Sequence, residues 1–163
     1  MPIKVEVVPT DVLYSIKYDT GVLEYGILPV YLIGERRTRP RASIAGLYPI
    51  VTDLYDDGSI GAFEIWFKRQ KWCIDMELVP PSSTCSGRVL VVSDDVDNPK
   101  PFFWISSDKL VGYAQSTPNP SPPMRHVRVA EQCIVDVGAD DTLAGLWLIG
   151  LPPELKEHLS LFE

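Results

Sequence analysis

The sequence predicts a mainly β protein, two pseudo-repeated antiparallel halves packed as one compact unit with a short C-terminal helix. Three observations carry this prediction. One stretch occurs twice: Ile50-Val51-Thr52-Asp53-Leu54-Tyr55-Asp56-Asp57-Gly58-Ser59-Ile60-Gly61-Ala62-Phe63-Glu64-Ile65-Trp66-Phe67 matches, without a gap, Ile134-Val135-Asp136-Val137-Gly138-Ala139-Asp140-Asp141-Thr142-Leu143-Ala144-Gly145-Leu146-Trp147-Leu148-Ile149-Gly150-Leu151. Apolar and polar residues alternate with period two through most of the remaining chain, the pattern of half-buried strands. Pro-rich segments at 80–87 and 117–123 cannot continue a helix or a central strand and so punctuate the sheet.

Taken in order, Val5 to Val8 opens a strand that Pro9-Thr10 breaks. Val12, Tyr14, Ile16 and Tyr18 alternate with smaller or polar neighbours as a second strand with an aromatic face. Asp19-Thr20-Gly21 turns the chain, and Val22 to Ile33 continues in β-forming residues, with Gly26 and Pro29 marking a bulge or an edge. A basic loop, Gly34 to Arg41, leads through Ser43–Tyr55 into the first repeated unit. There Asp57-Gly58 predicts a two-residue type I′ hairpin turn, which needs positive φ at both central positions. The second copy offers Asp141-Thr142 instead, a poorer fit that points to a longer or different loop.

After each turn the alternation places Gly61, Phe63, Ile65 and Phe67 on one face, matched by Gly145, Trp147, Ile149 and Leu151, and this shared face is the expected core. Trp72 to Val79 reads as a further strand, as do Arg88–Ser93, Phe102–Ile105, Lys109–Tyr113 and Val127–Val137. Pro152-Pro153 would start the one helix, with Leu155, Leu159 and Phe162 as its apolar stripe. The expected organisation is a first half over 1–80, a linker over 81–87, a second half over 88–151 and the helix over 152–163.

With 163 residues the chain is long enough for one ordinary domain or two small halves that share a core. A net charge of −7 argues against nucleic acid and anionic membranes as partners, since both attract positive fields. No apolar run approaches the roughly 20 residues of a membrane helix. The first six residues alternate like a strand and lack the apolar core of a signal peptide, so a cytoplasmic location is expected. Cys73, Cys85 and Cys133 are odd in number and lack ligand spacing, which predicts free thiols rather than a disulfide framework or a zinc site. His126 and His158, the only histidines, lie far apart in sequence. No cofactor motif is present.

Ile16-Lys17-Tyr18-Asp19 and the Asp53–Ile65 segment with Gly61-Ala62-Phe63-Glu64-Ile65 resemble a family of short, uncharacterised bacterial domains. Those domains carry a Tyr-Asp strand and then an acidic turn followed by a Gly-Ile-Glu-Ile strand. Val127–Ile149 resembles the second motif again, with Leu148 in place of the Glu. The resemblance covers about half the chain and implies a small β-rich module, not a reaction.

Two sets of residues are candidates for a site. Asp53, Asp56 and Asp57, with their counterparts Asp136, Asp140 and Asp141, could gather carboxylate oxygens around Ca²⁺ or Mg²⁺. The competing explanation is that Asp favours turns by bonding its own backbone. Arg36, Arg37, Arg39 and Arg41 could clamp a phosphate or a partner's carboxylate, or serve only as a solvated connector. Glu64 beside Trp66 offers a strand carboxylate next to an aromatic surface. The leading expectation is a non-catalytic module that binds another protein, as immunity or antitoxin-like proteins do by analogy, with homo-oligomerisation also open. The alternative is a small-ligand or divalent-metal-binding protein, or a hydrolase, with its cleft between the two halves.

Overall fold

The computed structural model describes residues 3–33, 42–47, 50–55, 57–67, 72–92, 102–106, 108, 110–115 and 124–158. Thirteen strands are found among them: β1 (Val5–Pro9), β2 (Ser15–Tyr18), β3 (Leu28–Ile33), β4 (Ala42–Leu47), β5 (Ile50–Leu54), β6 (Ile60–Ile65), β7 (Cys73–Ile74), β8 (Cys85–Val91), β9 (Phe102–Ser106), β10 (Val111–Gln115), β11 (Arg125–Ala130), β12 (Cys133–Val137) and β13 (Leu143–Ile149). The chain is mainly β, as its alternation predicts. The strands form an eight-stranded sheet in the order β1-β8-β11-β12-β13-β10-β9-β7 and a five-stranded sheet in the order β2-β3-β6-β5-β4. Within the larger sheet, β9-β10-β13-β12-β11 repeats the strand order of the smaller one.

The two sheets share a core. Leu28, Val30, Phe63 and Ile65 from the smaller sheet join Val89, Phe103, Val135, Val137, Leu146 and Leu148 from the larger in one buried cluster. Each fully buried aliphatic or aromatic side chain there contributes about 1.5–3 kcal/mol relative to exposure. The Tyr18 hydroxyl ties the layers together by donating to the Ile149 carbonyl at 2.9 Å. The first half also reaches into the larger sheet, because β1 lies along β8 with Val5 opposite Val91. Among the described residues, small voids of about 20 and 10 Å³ lie between the layers.

The two repeated units are both hairpins, β5–β6 and β12–β13, with turns that differ from the sequence expectation. Each is a three-residue loop. In the first, the Gly58 N–H donates to the Tyr55 carbonyl at 2.9 Å and the Tyr55 N–H to Ser59 at 2.8 Å. In the second, Asp141 donates to Gly138 at 3.0 Å and Gly138 to Thr142 at 2.8 Å. Left-handed backbone falls on Gly58 (φ 85°) and on Asp141 (φ 60°). The closing hydrogen bonds and the left-handed last loop residue are those of the common three-residue hairpin rather than of a two-residue type I′ turn.

The matching turn residues, Gly58 and Asp141, stand 83 positions apart, one fewer than the gapless sequence match implies. A one-residue shift exchanges the faces of a strand. Phe63 and Ile65 therefore correspond in place to Leu146 and Leu148, which face the shared core. Trp147 turns to the opposite face, where it packs with Ile134, Val111 and Leu78, and Ile149 packs against the same cluster. The expected shared core face is thus corrected for the second hairpin.

Four further expectations change. Trp72–Val79 is a strand only at Cys73–Ile74, because Asp75 starts a turn: its carboxylate accepts the Glu77 N–H at 3.0 Å and its carbonyl accepts the Leu78 N–H at 3.2 Å. The start of the 22–33 segment is a 3-10 turn, Leu23–Tyr25, stopped by left-handed Gly26. The expected C-terminal helix is a 3-10 turn, Pro153–Glu157, anchored by buried Leu155; Leu159 and Phe162 lie outside the described residues. The segment read as a linker over 81–87 already enters β8 at Cys85.

Candidate functional site

The outward face of the larger sheet carries a hollow of about 450 Å³. Its floor follows from strand register. Trp104, Tyr113 and Trp147 are direct cross-strand partners on β9, β10 and β13, so their side chains stand in one row on one face. Their rings run nearly parallel, with Trp104 and Tyr113 centroids 6.0 Å apart at 24° and Tyr113 and Trp147 4.4 Å apart at 30°. The next row holds Gln115, Gly145, Asp136 and His126, again direct partners from β10 to β11. Leu78, Val79 and Pro81, from the segment after β7, wall one side with Asp75, and Met124 completes the lining.

Asp136 is the unusual residue of this face. Its side chain is 2% exposed, in a strand whose other members are Cys133, Ile134, Val135 and Val137. A carboxylate in such a place is costly unless donors surround it. Asp136 has three. His126 Nδ1 lies 2.6 Å from Oδ1, Trp147 Nε1–H donates to Oδ2 at 3.0 Å, and the Tyr113 hydroxyl donates to Oδ2 at 3.4 Å. Burial first, and then the neighbouring carboxylate, raises the Tyr113 phenol above its ordinary pKa, so this hydroxyl stays a donor.

Gly145 permits the arrangement. A Cβ at this position would run into the Tyr113 ring and hydroxyl, so only glycine lets the tyrosine lean across to Asp136. The carboxylate in turn holds the proton on His126 Nδ1, because an ionised carboxylate can only accept. That leaves Nε2 of a 29% exposed ring as the polar atom His126 brings to the hollow. A carboxylate-oriented imidazole can accept a hydrogen bond from a ligand or remove a proton from one.

The residues singled out from sequence have other placements. Asp57 accepts bonds from the backbone and hydroxyl of Ser59 at 3.0 and 2.6 Å. Asp140 accepts the Thr142 hydroxyl at 2.5 Å, which is the largest cause holding its carboxyl below the usual range. Asp141 pairs with Arg125 at 2.6 Å on the surface. These turns use their carboxylates locally. Asp53 sits half-buried on β5, opposite Ala62, and Glu64 accepts the Trp66 indole N–H at 3.2 Å. Among the described residues, no three His, Cys, Asp or Glu side chains come together as a group that could hold a metal ion. Asp56 and the loop arginines Arg36, Arg37, Arg39 and Arg41 lie outside the described residues.

Sequence reasoning grouped Asp136 with Asp140 and Asp141 and set His126 aside, whereas the Asp136 side chain meets His126, Tyr113 and Trp147. The signal was present: an aspartate inside the apolar run Cys-Ile-Val-Asp-Val, ten residues after a histidine, with a two-residue turn between their strands. Among the described residues, no helix is long and apolar enough to cross a membrane. No protein-family model matches the chain, and no curated protein matches it significantly.

Proposed function

We propose that the chain binds a small, largely apolar molecule in the hollow, with His126 Nε2 as its polar anchor. The observation that carries this reading is the buried Asp136 carboxylate. Three donors converge on it, and one of them is a partly exposed imidazole at the edge of an aromatic floor. Binding sites combine mostly apolar walls with a few oriented polar groups in this way. The reading moves the small-ligand alternative from a cleft between the halves to the outer face of one sheet. It also treats the halves as diverged copies, supported by their common strand order and turn geometry.

Indole is a suitable neutral probe. A fragment of its size binds with a Kd of about a millimolar in a fitting pocket. Titration followed by the side-chain N–H signals of Trp104 and Trp147 is expected to give saturable shifts. Unmoved signals up to the solubility limit of indole would refute the reading.

A specific observation favours a second reading, a partner protein docking on the same face. Val79 in the wall of the hollow is 62% exposed, Ile74 and Met76 flank the wall residue Asp75 at 48% and 43% exposed, and β7 is an edge strand. A protein that inserts an apolar side chain into the hollow would cover them. In a pull-down from the native host, one stoichiometric partner that is lost on combining Ile74→Ser, Met76→Ser and Val79→Ser supports docking. A partner retained by the triple variant rules this surface out.

A further inference from the structure

We infer that the hollow selects an organic cation, an aromatic ring bearing a protonated amine, over neutral or anionic analogues; this rests on the hollow being a ligand site. The charge of the lining carries the inference. Asp136 lies beneath the floor and Asp75 stands on the wall, and neither Lys nor Arg is among the described lining residues. His126 adds no net positive charge of its own to the floor: if protonated, it is balanced by the carboxylate 2.6 Å away. The Asp75 carboxylate receives one backbone N–H, from Glu77, and among the described residues no cation is paired with it. A chain with net charge −7 surrounds the hollow with a field of the same sign.

The aromatic row adds the rest of the specificity. Trp104, Tyr113 and Trp147 are stacked on one another, so their inner faces are occupied. What remains for a ligand is their ring edges, on which an aromatic ring rests in edge-to-face contact, and the outer faces, which attract a cation. An ammonium group carried by that ring is drawn to the wall at Asp75. A carboxylate in the same place would face the Asp75 acid and, among the described lining residues, no Lys or Arg.

Calorimetric titration with tryptamine, indole and indole-3-propionate separates the claims, because the three share a ring and differ in charge. Tryptamine is expected to bind about tenfold tighter than indole, and indole-3-propionate more weakly than either. Asp75→Asn keeps the oxygen that accepts the Glu77 N–H and removes the charge, so it should narrow the tryptamine-to-indole ratio to about threefold or less. Equal affinity for all three, or a ratio untouched by Asp75→Asn, overturns the cation inference and leaves the hollow as a binding site. Absence of binding by all three overturns both.

Discussion

The hairpins β5–β6 and β12–β13 have the same turn and different outer faces. In both, a three-residue loop ends on a left-handed residue, and a Ser or Thr hydroxyl donates to the Asp two positions before it. In both, the register slips after an aspartate, Asp53 in one and Asp136 in the other. The residues around that aspartate then part company. Asp53 is opposite Ser43 and Ala62, whereas Asp136 is opposite His126 and Gly145. One exchange supplies a titratable ring, and the other removes a methyl group so that Tyr113 can reach across. The backbone of a hairpin is therefore set by its turn, while a site on it depends on which side chains the cross-strand partners supply.

The largest test of this contrast is to remove each aspartate. Asp136→Ala strands three donors, one buried and two part-buried, and should cost about 3 kcal/mol in urea unfolding, whereas Asp53→Ala should cost less than about 1 kcal/mol. Equal costs would mean that Asp136 is held no more tightly than its counterpart. The next test exchanges the small residues. Gly145→Ala forces the Tyr113 ring away and should cost about 2 kcal/mol, while Ala62→Gly should cost under about 1 kcal/mol. Loss of the Tyr113–Trp147 stacking signal in near-ultraviolet circular dichroism should accompany the first change only.

The turns give a smaller pair of effects with opposite signs. Gly58→Ala places a Cβ 2.6 Å from the Val91 carbonyl at a φ of 85° and should cost about 1–2 kcal/mol. Asp141→Gly relieves left-handed strain and should gain up to about 1 kcal/mol, less the small contribution of its exposed pair with Arg125. Thermal unfolding of both variants checks the signs.

How much of this the sequence reveals depends on which property is asked for. Alternation and turn residues predict a mainly β chain and locate both hairpins, because period-two patterning and Asp/Gly turns are local. Face assignment in the second hairpin is not local. It hinges on one residue of spacing, and the gapless match of Ile50 with Ile134 hides that shift because strands rich in Ile, Leu and Trp look apolar in either register. His126 and Asp136 meet only through the β11–β12 register, so neither residue type alone announces the pair. The Trp72–Val79 segment misleads for a simpler reason: its alternation is real, but Asp75 diverts the backbone into a turn.

The least dramatic prediction concerns cysteine chemistry on the two faces. Burial pushes the Cys133 thiol up to about 12, whereas Cys85 is exposed. In native protein, iodoacetamide should modify Cys85 quickly and leave Cys133 untouched, as read by mass spectrometry. Because the folded state holds the Cys133 proton more tightly than the unfolded chain, its contribution is complete below the ordinary thiol pKa. It is lost as pH rises from about 9 toward 12, so stability should fall across that window.

The central claim is that Asp136 orients His126 toward a ligand hollow, and long-range ¹H–¹⁵N correlation of the imidazole tests it most directly. The spectrum of the neutral ring should show Nδ1 protonated and Nε2 bare, and tryptamine should shift Nε2 saturably. A ring protonated on Nε2, or an Nε2 signal indifferent to tryptamine and to indole alike, would contradict the account.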